Sequence, residues 1–190
     1  LKKVKQRRQE LERERLKLER VEEITLEIEQ AKARYGMCFL EERPALYRLE
    51  FMDRGAMVEE ASKQKCTNHW MKNYLPFVML STRYYAHTLS KSRTDIEAVS
   101  GFGVYAKYAD ALGIEENEHI KYYPPVRAVH TILSANNEML NPDYTKALRY
   151  IEENHLRVCG DPISFGIANL NFNKTFERYY HIWIPVEDCE

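Results

Sequence analysis

The sequence predicts an α+β protein in which a long helix precedes a domain made of a duplicated strand–helix–strand–strand unit. The first 34 residues contain neither Gly nor Pro and are dense in charge, whereas the chain from Tyr35-Gly36 onward is aromatic and divided by turns. The same order of elements then occurs twice, and Pro44 and Pro125 stand at matching points about 80 residues apart. Two such halves form one antiparallel sheet with both helices on one face and a groove on the other.

Residues 1–34 form the predicted helix, which we expect to pair with a second chain. Its apolar residues make a narrow stripe, spaced by seven, three, three or four, and three. They are Leu11, Leu18, Val21, Ile24 or Thr25, Ile28 and Ala31. This spacing is typical of a coiled-coil seam rather than of the wider face of a helix packed on its own domain. We therefore assign dimerisation to Leu11, Leu18, Val21 and Ile28. The alternative is a single exposed helix that frays.

The domain is expected to span 37–187, and its first half begins with extended chain. Residues 37–52 contain a turn near Pro44 and then alternate apolar and polar side chains. Asp53 is predicted to cap a helix that continues to about Tyr74. Two strands follow, at 77–87 and 96–108, and a linker at 113–118 ends this half.

The second half repeats this order. Residues 119–135 are extended, and Asn141-Pro142-Asp143 marks a helix start with Asn141 as its cap. Two strands, at 163–171 and 176–186, are joined by a turn at 171–174 and end the domain.

Composition limits the classes of function. The 190 residues carry a net charge of −1, so no overall basic field attracts nucleic acid. The basic cluster between Lys2 and Arg8 is interpreted as a solvated helix end, with a DNA-facing surface as the alternative. The four cysteines lack CxxC or zinc-ligand spacing, so we expect reduced thiols, no metal and no cofactor.

The chain shows no targeting signal and no catalytic signature such as GxSxG or HExxH. Apolar runs such as Phe77-Val78-Met79-Leu80 are far too short to cross a bilayer. We therefore expect a cytoplasmic protein without a membrane partner. Because the sequence starts without Met inside a charged helix, we also expect it to be the C-terminal part of a longer polypeptide.

The closing segment Tyr179-Tyr-His-Ile-Trp-Ile-Pro-Val-Glu187 resembles the last strand of the GyrI-like effector-binding domain. The strand entries at Arg43-Pro44 and Gly101-Phe-Gly103 and the duplicated order of elements are similar to that family over about 37–187. A coiled-coil helix directly before such a domain resembles the multidrug-sensing branch of the MerR transcription regulators. In one departure, His181 stands where the family often has a glutamate that faces the ligand. The resemblance therefore does not extend to the family's preference for cationic aromatic drugs.

Candidate ligand-binding residues follow from the alternation of side chains along the closing strand. Glu177, Tyr179, His181 and Trp183 share one face, and their mix of aromatic and polar groups is typical of a small-molecule pocket. Tyr105 and Tyr108 are further candidates. The alternative is that these aromatic residues are ordinary sheet residues without a ligand. His181 has three interpretations: a neutral hydrogen-bonding residue, a group that titrates near pH ~6.5, or a metal ligand.

These observations predict the ligand-sensing and dimerising region of a MerR-type transcription regulator. Its partners would be a small aromatic ligand, a second copy bound through the helix, and DNA contacted by a winged-helix domain that is not in this sequence. The alternative is an enzyme, because some GyrI-like domains resemble hydrolases of reactive small molecules. Glu177, His181 and Tyr105 would then be acid/base candidates. A third interpretation is a stand-alone scavenging module, which would not need a coiled coil.

Overall fold

The structure, a computed structural model, describes residues 2–53, 56–57, 60–90, 92–136, 141–172 and 175–189, of which 57, 168–172 and 175–177 are described by backbone alone. The helices are α1 (Lys2–Arg34), α2 (Ala61–Asn73), α3 (Ala109–Leu112) and α4 (Thr145–Glu153). The strands are β1 (Cys38–Arg43), β2 (Leu46–Asp53), β3 (Ala56–Met57), β4 (Met79–Tyr84), β5 (Ala98–Tyr105), β6 (Ile120–Tyr123), β7 (Val126–Asn136), β8 (Leu156–Val158), β9 (Ile163–Phe172) and β10 (Thr175–Asp188).

The strands form an antiparallel sheet in the order β1-β7-β10-β9-β4-β5-β2-β3, with β6 beside β2 and β8 beside β10. The two halves of the sheet correspond strand by strand outward from the central β4–β9 pair, since β4, β5 and β2 on one side match β9, β10 and β7 on the other. The first half contributes β4, β5 and β2, and the second half contributes β9, β10 and β7. Each half thus has the order strand, helix, strand, strand, and the structure confirms the predicted duplicated α+β fold.

Two predicted helix starts are wrong, because local pairing takes the residues expected to begin them. The helix expected from Asp53 begins at Ala61, since β2 extends through Asp53 and pairs with β3. Helix α4 begins at Thr145, whose backbone N–H donates to the Asp143 carboxylate at 2.9 Å. Asn141 does not cap this helix, because its amide donates to the carbonyl oxygens of Arg93 and Ile96.

Three predicted strands are also shorter than expected. The strand expected at 77–87 is β4, which ends at Tyr84 before a helical turn at Ala86–Thr88. Residues 119–135 form β6 and β7 as separate strands, because Pro124 and Pro125 lie between them and have no N–H to donate to a ladder. The strand expected to reach Tyr108 ends at Tyr105 and continues as a helical turn into α3. The predicted turn at 171–174 lies partly outside the described residues.

Helix α4 covers one face of the second half of the sheet. Its buried side chains pack against the residues of β7 and β10 that point toward it: Val129, Leu133, Tyr180, Ile182 and Ile184. The inward placement expected for the three β10 residues is confirmed. Helix α2 contributes Trp70 and Tyr74 to the core of the first half. Side chains that alternate with the α4-facing set, such as Ile132, therefore point to the opposite face.

Helix α1 lies across that opposite face, which corrects the prediction that it would pack only on a second chain. Ala31 and Ile28 pack against Ile132 of β7 and Ile167 of β9. Leu16 packs against the core of the first half. The apolar stripe of α1 is narrow for a helix that packs on its own domain, because charged side chains make part of the contact with the sheet.

The predicted dimerisation stripe is divided by this packing. Ile28 faces the sheet, whereas Leu11, Leu18 and Val21 remain 50%, 67% and 50% exposed, and Val4 is 72% exposed. At about 100° per residue, Val4, Leu11 and Leu18 lie on the side of α1 turned away from the sheet, and Val21 lies on the flank of the helix that also carries Ile28. We call Val4, Leu11, Leu18 and Val21 the outer stripe.

Candidate functional site

A cavity of about 590 Å³ lies between α1 and the sheet, and we call it the α1 cavity. Its helical wall consists of Glu23, Leu26, Glu27, Gln30 and Arg34. Its sheet wall consists of Glu41, Pro44, Ala45, Tyr105, Ala106, Lys107, His130, His181 and Trp183. Three of the six predicted ligand-binding residues therefore lie together in one cavity: Tyr105, His181 and Trp183.

A larger cleft, of about 1030 Å³, opens between the N-terminal half of α1 and α3. Its lining is dominated by exposed Lys, Arg, Gln and Glu side chains and includes no aromatic ring. Binding sites for small molecules are mostly apolar with a few placed polar groups. The α1 cavity has charged side chains in its walls as well, but it also contains the rings of Tyr105 and Trp183, whereas the lining of the larger cleft has no aromatic ring.

Strand pairing positions the rings of the α1 cavity. Alternation along β10 places His181 and Trp183 on one face, and His130 of β7 is directly opposite Trp183 in the ladder. The His130 and Trp183 rings stack, with centroids 3.9 Å apart and planes at 16°. One face of Trp183 is therefore already covered by His130. The indole Nε1 of Trp183 is buried and has no hydrogen-bond partner among the described residues.

A chain of hydrogen bonds joins a carboxylate to the two histidines. Glu41 Oε2 lies 2.9 Å from His130 Nδ1, and His130 Nε2 lies 2.9 Å from His181 Nδ1. The other oxygen of Glu41 accepts a hydrogen bond from Arg34 at the end of α1. The chain therefore links the last residue of α1 to the centre of the cavity wall.

Burial keeps both histidines neutral. It lowers the pKa of His130 to about 4, the neighbouring His181 lowers it further, and Glu41 acts in the opposite direction without reversing the shift. Burial also lowers the pKa of His181 to about 4. For Glu41, burial works to raise the pKa, but the interactions with Arg34 and His130 together outweigh it, so the pKa is lowered. At pH ~7 the hydrogen-bond chain from Glu41 to His181 thus contains one carboxylate and two uncharged imidazoles.

Helix α1 is held over the cavity by charged side chains. Arg20 is 1% exposed, and its guanidinium donates to Glu27 at 2.8 and 3.3 Å and to Glu23 at 3.2 Å. Glu23 also accepts hydrogen bonds from Lys107 and from the Tyr108 hydroxyl, each at 2.6 Å. Each carboxylate in the helical wall therefore already has a cationic partner.

The other predicted ligand-binding residues have different positions. Tyr108 is buried and binds Glu23, so it anchors α1 instead of lining the cavity. Tyr179 packs against the cluster that contains Ile28, with its ring 5.9 Å from that of Tyr35. The backbone of Glu177 pairs with Asn136, but its side chain lies outside the described residues. Tyr105 is buried in the cavity wall, and burial raises the pKa of its hydroxyl.

Sequence reasoning missed Glu41 and His130. His130 had no clear signal, because its same-face neighbours on β7, Ala128 and Ile132, are apolar, and only the pairing of β7 with β10 places it opposite Trp183. Glu41 had none, since only the pairing of β1 with β7 brings it beside His130.

Neither a metal centre nor a membrane span is found in the part of the chain that the structure describes. No three His, Cys, Asp or Glu side chains there are grouped so that they would hold a metal ion. No helix there combines the length and the apolar character needed to cross a bilayer.

The fold is shared with two solved structures of EcmrR. The crystal structure of the EcmrR C-terminal domain matches with a TM-score of 0.50 and 17% identity, over 80% of this chain and 97% of that chain. The cryo-EM structure of the EcmrR–DNA complex in EcmrR-RPo matches with a TM-score of 0.51 and 17% identity, over 97% of this chain and 71% of that chain.

A hydrolase from Listeria innocua gives a TM-score of 0.44 and 8% identity, over 81% of this chain and 92% of that chain, which is too weak to carry an argument. No family model and no curated protein sequence matches the chain. The comparisons therefore show a common fold with EcmrR and nothing about a ligand.

Proposed function

We propose that these residues form the effector-binding and dimerisation region of a MerR-type transcription regulator that works in the cytoplasm. The observation that carries this proposal is the position of the α1 cavity, which has the long helix as one wall and the sheet as the other. The sequence resemblance to multidrug-sensing MerR regulators and the fold shared with the EcmrR C-terminal domain support it.

The ligand that we propose is a flat, uncharged aromatic molecule. Glu23, Glu27 and Glu41 each bind a cationic side chain, so a cationic ligand would have to compete with existing ion pairs. His181, at the position where the related family often has glutamate, is neutral at pH ~7. Flat rings in the wall, such as Tyr105, offer edge and face contacts to another flat ring.

A ligand in this position would act on the helix. Three of the cavity's charged residues, Glu23, Glu27 and Arg34, belong to α1, so occupancy of the cavity and the position of α1 depend on each other. A ligand shifts such an equilibrium only by its difference in affinity for the two positions of the helix. The charged contacts of α1 would be the part of the interface that the ligand changes.

The outer stripe would hold a second copy of the chain. Val4, Leu11 and Leu18 are seven residues apart, which is the heptad spacing of a coiled-coil seam. DNA would be contacted by a winged-helix domain that is not among these 190 residues, since the net charge of −1 provides no general attraction. The existence of a structure of EcmrR in complex with DNA supports this part of the proposal.

No specific observation favours the two alternatives. A hydrolase that used Tyr105 as an acid would rely on a hydroxyl whose pKa is raised by burial, which makes it a poor proton donor. A stand-alone scavenging module would not account for the exposed outer stripe.

Fluorescence of Trp183 tests the ligand proposal. In Trp70→Phe protein, Trp183 is the sole tryptophan. Acridone is flat and uncharged, and 10-methylacridinium has the same flat three-ring frame with a fixed positive charge, an N-methyl group and no carbonyl oxygen. We expect acridone to change the Trp183 emission and to bind more tightly than the cation.

His181→Glu should reverse this order of affinity, because a carboxylate beside a desolvated cation is worth about 1–3 kcal/mol. Trp183→Phe protein, which retains Trp70, controls for absorption of light by the dyes. Equal affinities for both dyes in both His181 forms would contradict the placement of the ligand beside His181.

A further inference from the structure

The hydrogen-bond chain that ends in the α1 cavity has a defined direction, which begins at Glu41. An ionised carboxylate can only accept hydrogen bonds. Glu41 accepts one from Arg34 and lies 2.9 Å from His130 Nδ1, so His130 Nδ1 must carry the proton of that contact. Glu41 is ionised near neutral pH, since its pKa is lowered by Arg34 and His130 against the opposing effect of burial.

The proton on Nδ1 of His130 determines the tautomer of His181. A neutral imidazole donates through one nitrogen and accepts through the other, so His130 Nε2 is an acceptor. His181 Nδ1, at 2.9 Å, must therefore be the donor. The Nε2 atom of His181 then carries a lone pair and no proton. Both rings are neutral because burial lowers their pKa values.

We infer that the α1 cavity selects flat, uncharged aromatic molecules that carry an N–H or O–H donor on their edge, and that His181 Nε2 accepts this hydrogen bond. Glu41 and His130 are positioning residues, because they fix the tautomer of His181 without contacting the ligand's donor. The inference rests on the proposed function and adds the hydrogen-bonding class of the ligand. It is distinct from the argument that the α1 cavity disfavours cationic ligands, because it predicts that a neutral compound without a donor also binds weakly.

The hydrogen bonds that begin at Glu41 explain why His181 presents a fixed acceptor to the cavity and does not act as a group that changes its charge near neutral pH. A lone histidine would exchange between two tautomers and present either a donor or an acceptor to the cavity. Here the carboxylate at the far end of the chain removes that freedom. The cavity therefore presents an acceptor that has no charge, which a ring N–H or a phenolic O–H satisfies.

Two compounds that differ only in the donor test this inference. Acridone carries a ring N–H, and 10-methylacridone carries a methyl group at the same nitrogen. Binding of each to the full 190-residue chain is measured by the Trp183 emission in Trp70→Phe protein. We expect acridone to bind about three- to tenfold more tightly, the range of one hydrogen bond to a buried acceptor.

Variants of the chain separate positioning from simple packing. His181→Phe keeps a flat ring without the acceptor, and the ratio of the two affinities should fall to about one. Glu41→Gln can donate to His130 Nδ1 through its amide, which allows the opposite tautomer at both rings and should also reduce the ratio. Glu42→Gln changes the neighbouring, exposed carboxylate of β1 and should leave the ratio unchanged.

Nitrogen NMR observes the tautomer directly and does not depend on a ligand. In the wild type, the ¹⁵N shift of His181 Nε2 should be of the unprotonated type and that of Nδ1 of the protonated type, and Glu41→Gln should weaken this difference. The opposite pattern in the wild type would overturn the inference. Equal binding of acridone and 10-methylacridone would overturn it while leaving the proposed function intact. Binding of neither compound would defeat the proposed function and the inference together.

Discussion

Burial holds His130 and His181 neutral, and the neighbouring His181 lowers the pKa of His130 further. A proton on either ring would place a charge in a poorly hydrated wall and beside a second ring that is itself hydrogen-bonded. Glu41 offsets part of this cost for His130, but burial and the neighbouring His181 dominate, and the pKa of each ring remains at about 4. At the scale of single residues, both imidazoles of the α1 cavity wall are therefore uncharged at pH values where exposed histidines begin to take up protons.

Stability should consequently decrease as the pH falls from about 6.5 to about 4. Over this interval the histidines are protonated in the unfolded chain but not in the folded chain, so proton binding lowers the free energy of the unfolded state relative to the folded state. The contribution of one such histidine is present above pH ~6.5 and is lost toward pH ~4, by at most on the order of 3 kcal/mol. Urea unfolding at about pH 7 and about pH 5 measures the loss. His181→Phe should show a smaller loss, and an identical loss in both proteins would contradict the assignment.

Helix α1 is attached to the sheet by a buried cation at its middle as well as by apolar contacts near its end. Arg20 binds Glu27 and Glu23, lies 3.0 Å from the sulfur of Met79, and has its guanidinium 5.6 Å from the centre of the Tyr105 ring. By contrast, the ion pairs of Arg15 with Glu12 and Glu19 lie on the exposed side of the helix. At the scale of the element, the buried and the exposed ion pairs should contribute very different amounts to the free energy of unfolding.

Arg20→Ala should destabilise the protein by about 2–3 kcal/mol, because it leaves the partly buried Glu27 without its cation. Arg15→Ala is the matched control and should change the free energy of unfolding by less than about 1 kcal/mol. Amide exchange within residues 16–34 should become faster in Arg20→Ala alone. Equal effects of the two substitutions would show that Arg20 is not the anchor of the helix.

The outer stripe leads to a prediction about assembly. Leu18→Glu combined with Val21→Glu should convert a dimer into monomers in sedimentation, because the charges would face each other across the seam. Leu26→Glu, at a residue that is 54% exposed on another side of α1, should leave the dimer intact. A wild-type chain that is monomeric at micromolar concentration would contradict the proposed dimer.

At the scale of the whole molecule, the sequence was sufficient for the architecture. The alternation on β10, the helix signal before α4 and the repeated order of elements are local patterns, and the sheet built from them is the one observed. The start of α2 was not predictable, because it depends on the pairing of β2 with β3, which local patterns do not reveal. The break between β6 and β7 was readable but overlooked, because Pro124 and Pro125 have no N–H to donate to a ladder.

The site was predictable only in part. His181 and Trp183 were found because side chains alternate along β10, and Tyr105 was found as an aromatic residue of a predicted strand. The packing of α1 on the sheet was missed because arginine is usually a surface residue. The burial of Arg20 depends on Glu27, seven residues along the helix, and on Met79 of β4. Glu41 was missed because its role depends on strand pairing across the two halves of the domain.

The central claim is that a flat ligand binds beneath α1, and titration calorimetry with a variant that fills the cavity tests it most directly. Ala106 lines the α1 cavity, and Ala106→Trp would place a large ring there. Acridone should bind the wild-type chain with a saturable, single-site heat, and Ala106→Trp with an unchanged melting temperature should show no such heat. Equal binding of acridone by a folded Ala106→Trp chain would show that the ligand binds elsewhere and would contradict the account.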